Sequence, residues 1–368
     1  MSDELVNQFD HYLKDDGPAA LVIREHLMPV ESPDGVLFPA TFAAGDGFPG
    51  GYNIDTFPNG TNVCLIDSVG SQANRIEPIF MQEEYKSLVP QIVVKAGAKE
   101  VNLLEAGHRA GDAIIRCSEL QEGLREAFKE SLKGNAEPLA KVAPTSLVFG
   151  VWDSRNTQEK RPRLVASTIR AFNVCKLTRG AVYLPPVNYV EEGLIDAALD
   201  TGSGKDNPLS VKGFKHNPAS ATHGGVIALG GIRRDATLSL AALRLLRAGP
   251  DADKTRKLQR YILGLSLVAF TANTSNYLRQ GCMLVRNPAK AGENEFVEVY
   301  PTGERKPCPI DHQEVLKYAK SVAQAFGVGE SRTVDFDRSR AQRDIEGEGQ
   351  TKAKAKRGKK VEPSGGTA

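Results

Sequence analysis

Apolar and polar positions along the chain alternate in short runs broken by stretches of helical spacing, and their order predicts a mixed architecture. Residues 19–26 alternate loosely and predict a first strand, and 61–66 predict a second. Asp67 or Ser68 then caps a helix running to Arg75. Leu120, Leu124, Ala127, Phe128 and Leu132 recur at helical spacing and predict an amphipathic helix over 118–133. Apolar runs at 146–152 and 164–177 predict two strands joined by a loop carrying Arg155, Lys160, Arg161 and Arg163. Further on, the pattern predicts a strand at 226–229, helices at 238–246 and 256–278, strands at 282–286 and 296–300, and a last amphipathic helix at 314–326. Two segments fit no element: 29–60, dense in Gly, Pro and aromatics (Phe38, Phe42, Phe48, Tyr52, Phe57), and 183–222, rich in Pro, Gly and Asn. Both are too long for connectors and predict ordered excursions. Beyond Gly329 hydrophobic periodicity stops, so 331–368 is predicted to be a disordered basic tail. Strands interleaved with helices predict one α+β domain over 1–330, with a four-stranded sheet covered on one face in the RRM manner, rather than a doubly wound dinucleotide fold.

Composition supports a folded chain, since 40% apolar residues in a chain of 368 supply a sizeable core. The formal charge of +2 argues against nucleic acid only until its distribution is read. Residues 1–60 hold ten acidic side chains against Lys14 and Arg24, whereas 152–182 hold seven basic against two acidic. Residues 212–247 carry six basic side chains against Asp235 alone, and 254–290 carry seven with no carboxylate. Such polarisation suits a phosphate-binding groove on an otherwise acidic protein; ordinary solvated helix faces would also produce it. The five cysteines are odd in number and widely spread, which favours reduced thiols in a cytoplasmic protein over disulfides or a zinc site. The acidic, polar stretch Met1–Asp16 shows no secretory signal. Tyr261–Leu278 is uncharged for 18 residues, but Thr271, Asn273, Thr274, Ser275 and Asn276 make its second half too polar for lipid, and it predicts a buried helix.

Three strings carry candidate chemistry. THGGVIALGGIRRDATL (222–238) sets glycine pairs on both sides of a short apolar run, followed by Arg233 and Arg234. Backbone amides there could approach a phosphate, or the string could be a tight hairpin with solvated arginines. VWDSRNTQEKRPRLVASTIRAF (151–172) offers Arg155, Lys160, Arg161, Arg163 and Arg170 to a sugar-phosphate backbone, with Ser167 and Arg170 expected on one strand face. IDSVGSQANRIE (66–77) places Ser68, Ser71, Asn74 and Arg75 at a helix start, where hydroxyls and amides suit phosphate and where capping alone explains Ser68 equally well. TGSGKDNP (201–208) fails as a triphosphate loop, because Leu199 stands where glycine is needed and Asp206 where Ser or Thr is needed. The six histidines pair neither with each other nor with cysteine, so no metal or other cofactor is expected; His108, near Glu105 and Asp112, reads as a solvated ion pair.

Together with LLEAGHRAGDAIIR (103–116) and YLRQGCMLV (277–285), these strings resemble the CRISPR Cascade backbone subunit of the type I-U (I-G) systems, a member of the RAMP superfamily. The resemblance runs over about residues 18–330, is most specific at 222–238 and does not extend to the lysine-rich tail. It implies an RRM-like (ferredoxin-like) palm with finger and thumb insertions, and a subunit without catalytic residues. Copies stack head to tail along a CRISPR RNA and leave its bases free to pair with target DNA. The implied partners are crRNA, target DNA through the guide, copies of the chain itself, the large subunit, the crRNA-end-capping and processing subunit, and a recruited helicase-nuclease, with no membrane. A guide of variable sequence must be held by phosphate, ribose and base faces. The expected contacts are Ser68, Ser71, Asn74, Arg75, Arg155, Lys160, Arg161, Arg163, Arg170, His223, Arg233 and Arg234, with a thumb at about 183–222 and the 29–60 excursion meeting a neighbouring copy. The alternatives are a RAMP-superfamily RNA-processing endonuclease acting through His223 and Asp67, and a metabolic α+β enzyme binding a small anion at the 222–234 glycines.

Overall fold

The computed structural model describes residues 3–346 apart from 204–205 and 273–275. In chain order, β1 (Ala20–Pro29) is followed by β2 (Asn62–Asp67), α1 (Val69–Ile76), α2 (Gln121–Leu132) and α3 (Thr145–Phe149). A short ribbon of β3 (Val151–Trp152) and β4 (Lys160–Arg161) then leads into β5 (Val165–Phe172). Next come the long strands β6 (Val174–Tyr183) and β7 (Asn217–Ala228), then β8 (Ile232–Ser239), α4 (Ala252–Thr271), β9 (Cys282–Arg286), β10 (Glu295–Val299) and α5 (His312–Phe326).

β1 pairs with β8, β8 with β5, and β5 with β2, all antiparallel. On its other edge β1 pairs with β10 over Ala20–Arg24 and with β9 over Leu27–Pro29. The order β9/β10, β1, β8, β5 with a helical connection after β1 and α4 after β8 is the ferredoxin-like split βαβ arrangement, to which β2 adds an outer strand. The α+β reading of the sequence is therefore correct. One sheet face (Leu21, Ile23, Val165, Ala236, Leu238) packs on α4, where nearly every side chain from Leu258 to Phe270 is buried. α5 closes this layer, with the Phe326 ring stacked on Tyr261 at 4.5 Å. Of the uncharged run, Tyr261–Phe270 is thus core; the helix ends at Thr271 instead of continuing to 278, and Tyr277–Arg279 is a short strand. Among the described residues no helix is long and apolar enough to cross a membrane.

The hairpin at the place expected for a thumb differs from the expected bounds. The apolar run 164–177 is broken at Asn173, whose φ of 49° is left-handed, and the chain turns there from β5 into β6. β6 and β7 form a hairpin from Val174 to Ala228, and the expected segment 183–222 is only its outer part. The first glycine pair lies within this hairpin. A Cβ on Gly224 would sit 2.6 Å from the Thr178 carbonyl carbon, and one on Gly225 would sit 2.5 Å from Val36 Cγ1. These glycines let β7 pass between β6 and the 29–60 excursion, which is bonded to it through Leu37 and Val226 at 2.7 and 2.9 Å. Gly224→Ala is expected to cost about 1–3 kcal/mol by overpacking and to expose the hairpin to limited proteolysis. An unchanged cleavage pattern would show that the close approach is dispensable.

Three other expectations need correction. Residues 146–152, read as a strand, are mainly the helix α3: all five of its residues are buried, so the run carries no alternation to separate strand from helix, and Gly150 (φ 80°) ends it. Helix 238–246 is shorter, because β8 continues to Ser239, whose side chain caps Leu240–Arg244. The tail is ordered to residue 346: Arg332–Asp335 adds parallel to Ile92–Ala96, residues 338–346 are helical, Arg340 reaches Glu122 at 2.7 Å, and Arg116 pairs with Asp344. Ladder bonds and ion pairs hold this segment, which is why hydrophobic periodicity misses it. The lysine-rich run lies outside the described residues.

Candidate nucleic-acid interface

A basic concavity lies where the chain leaves α3 and enters β5. A cleft of about 600 Å³ is lined by Arg109, Arg116, Arg155, Lys160, Arg161 and Arg163, with His108 and Trp152, and with no carboxylate in its described lining. The β3–β4 ribbon presents most of these groups. Its loop is closed by buried Asp153, which accepts from the Thr157 amide at 2.8 Å and hydroxyl at 2.7 Å, so the exposed Arg155 projects from a fixed turn. Lys160 and Arg163 are also exposed, and Arg163 donates through Nε to the Phe149 carbonyl at 3.0 Å. Arg161 is more committed, lying 2.5 Å from Glu159 and donating to Ser131 Oγ at 2.8 Å.

Arg109 forms the floor and is held in an unusual way. It is a non-glycine residue at φ 53°, is 2% exposed, pairs with Glu77 at 2.6 Å and lies over the Phe149 ring at 5.2 Å. Its guanidinium also donates to Asn74 Oδ1 at 3.3 Å, which places one expected contact, Asn74, beside the cleft. Burial pushes the Glu77 carboxyl up to about 7 against the pull of Arg109. A left-handed arginine fixed by a buried ion pair is the kind of over-determined strain that gathers at functional positions.

A second basic surface occupies the sheet face turned away from α4. His26 of β1, Arg233 of β8 and Arg170 of β5 stand directly opposite one another across three strands. Like charges in register are unfavourable. Here Arg233 is relieved by Asp235 at 2.9 Å and by the Phe172 ring at 4.7 Å, while Arg170 donates to Thr168 at 2.7 Å. Ser167, expected to share a face with Arg170, points the other way: alternation along β5 buries it against Gln72, its hydroxyl donating at 2.9 Å.

Apart from His223, the remaining expected contacts join a polar chain that is buried at Arg234 and Asp67 and part-exposed at Ser68, Ser71 and Arg75. Arg234 is 8% exposed, donates to Ser167 Oγ at 3.1 Å and pairs with Glu25 at 2.6 Å. Burial alone would raise the Glu25 carboxyl, but Arg234 and Arg286 hold it below the usual range. Gln72 continues the chain to Asp67, whose carboxylate also accepts from the Ser71 hydroxyl at 2.8 Å, Arg75 at 3.1 Å and Arg279 at 2.9 Å. Ser68 Oγ accepts from the Ser71 amide at 3.2 Å as a helix cap. Ser68, Ser71, Arg75 and Arg234 thus all hydrogen-bond within the protein, and Arg234 alone of the four is buried. His223 lies on β7, exposed, its ring 5.0 Å from Tyr52. Tyr52 is buried there and accepts from the Gly225 amide at 3.0 Å, so part of the aromatic excursion serves the thumb base, while Phe42 and Phe57 stay exposed.

Sequence reasoning missed Arg109, Arg116 and Trp152. The two arginines lie in a string already singled out, but nothing in its spacing tells that turns would carry them to the β3–β4 ribbon.

Palm, inserted hairpin and basic cleft define an α+β protein of RRM-like build. Residues 21–176 match the family described as CRISPR-associated protein GSU0053, a stretch that runs from β1 into β6 and contains the whole cleft. Over this stretch, less than half of its length, the chain is similar to a CRISPR-associated family, in agreement with the resemblance carried by its motifs, although the 222–238 string lies beyond the matched stretch. No curated protein matches the chain.

Proposed function

We propose that the chain is the non-catalytic backbone subunit of a CRISPR Cascade effector, holding crRNA by its sugar-phosphate backbone and presenting the bases to target DNA. The observation that carries this reading is the cleft itself: exposed Arg155, Lys160 and Arg163 converge on one concavity with Arg109, Arg116 and Arg161, which are ion-paired to Glu77, Asp344 and Glu159 behind it, within the segment that matches the CRISPR-associated family. Phosphate groups along a single strand satisfy such a lining whatever the base sequence. The hairpin from Val174 to Ala228 has the reach of a thumb, and head-to-tail stacking of copies along one RNA yields an open filament. The other Cascade subunits and the recruited helicase-nuclease would join that filament. The endonuclease reading gains nothing from Asp67, whose carboxylate is buried and already accepts from four side chains.

Protein purified from cells is expected to carry RNA of mixed sequence and to elute as assemblies whose size follows RNA length. An RNA-free monomer that ignores added guide would refute the proposal, and cleaved repeat RNA would favour the nuclease.

A further inference from the structure

The cleft has an exposed indole that phosphate binding leaves unused. Trp152 is the single tryptophan of the chain, and its side chain is 56% exposed in the cleft wall beside Arg155 and Lys160. A lone exposed aromatic is ordinary on a protein surface. This one differs in where it stands and in how firmly it is held. Its strand pairs it directly with Lys160, Val151 before it is buried, and Asp153 after it is buried and bonded to Thr157. The Lys160 ammonium lies 5.9 Å from the ring centroid, at the outer limit of a cation–π contact, so it leaves most of the ring uncovered. A rigid indole with two torsions loses little entropy when a flat ligand lies on it.

A guide of varying sequence offers phosphates, riboses and base faces in common, and stacking is tolerant of sequence because every base has a π-face. We propose that Trp152 is a base-stacking platform that takes the face of one unpaired RNA base while Arg155, Lys160 and Arg163 hold the adjoining phosphates. This rests on the guide-binding reading above and adds to it a second kind of recognition, since charge fixes the path of the strand and the indole fixes where a base sits along it. The platform makes no phosphate contact, so it contributes affinity without contributing to salt dependence.

The full chain can be titrated with fluorescently labelled oligouridylate and oligoadenylate, following anisotropy of the label and, separately, indole emission, which in this chain reports on Trp152 alone. Emission is expected to quench in step with the anisotropy. Trp152→Ala should weaken binding by about 5- to 100-fold while leaving the slope of log affinity against log salt unchanged, and Trp152→Phe should restore most of the loss. Binding seen by anisotropy with no change in emission, or a Phe variant as weak as the Ala variant, overturns the platform and leaves guide binding intact. No binding by either measure overturns guide binding and the platform together.

Discussion

Replacing Arg155, Lys160 and Arg163 together by glutamate should strip the protein of RNA while leaving its fold unchanged. All three side chains are exposed. A hydrogen bond to a charged group is worth about 1.5 kcal/mol or more, so removing three should cost about a thousandfold or more in affinity, and reversal adds repulsion. The alanine triple variant should also flatten the salt dependence, by about 0.7 in slope for each phosphate of a single strand that is no longer neutralised. Filter binding across a salt series, with thermal melts on the same preparations, measures both effects. Retained RNA with an unchanged slope would move the guide out of this cleft, with the row of His26, Arg233 and Arg170 as the next surface to test. Arg161 is left out of the triple variant because its ion pair with Glu159 and bond to Ser131 would confound folding with binding, whereas Arg163 gives up a single bond to the Phe149 carbonyl, which the melts control for.

Asp67→Ala should be the most damaging single change in the palm, by about 3–5 kcal/mol, because it breaks a buried charge pair and strands its partners. Asp67 is 1% exposed and gathers Ser71, Gln72, Arg75 and Arg279, joining the end of β2, the first turns of α1 and the strand at Tyr277–Arg279. Without the carboxylate both guanidiniums lose their counter-charge, and the chain through Gln72 and Ser167 to Arg234 loses its anchor. Urea unfolding reads this directly. A variant that unfolds at the wild-type urea concentration yet no longer retains RNA would make Asp67 a functional group rather than a structural one.

Much of the sheet was legible because alternation is a strong signal where one face of a strand is buried. β1, β2, β5 and β10 all show it, and the amphipathic spacing of α2 and α5 is equally plain. Legibility failed where burial is complete or absent. α3 is buried on every side and looks like a strand, while Arg332–Asp335 is mostly exposed and looks like a tail. The site was legible as residue types: Arg155, Lys160, Arg161 and Arg163 do converge in one cleft. Arg234 and Arg233 are adjacent and chemically identical, yet the period of two sends one into the buried network and leaves the other on the opposite sheet face.

By itself the sequence determined the class of fold, most palm elements other than the central strand β8, the polarised charge and the likeness to a CRISPR-associated family, since all of these reside in local pattern and motif. Tertiary structure alone decided which cations are offered and which are consumed. That choice depends on whether a carboxylate distant in sequence, such as Glu25 for Arg234 or Asp67 for Arg279, lies within bonding distance once the sheet has closed. It also decided that Arg109 and Arg116 share one surface with Trp152, because the turns that carry the two arginines meet the β3–β4 ribbon only in the folded state.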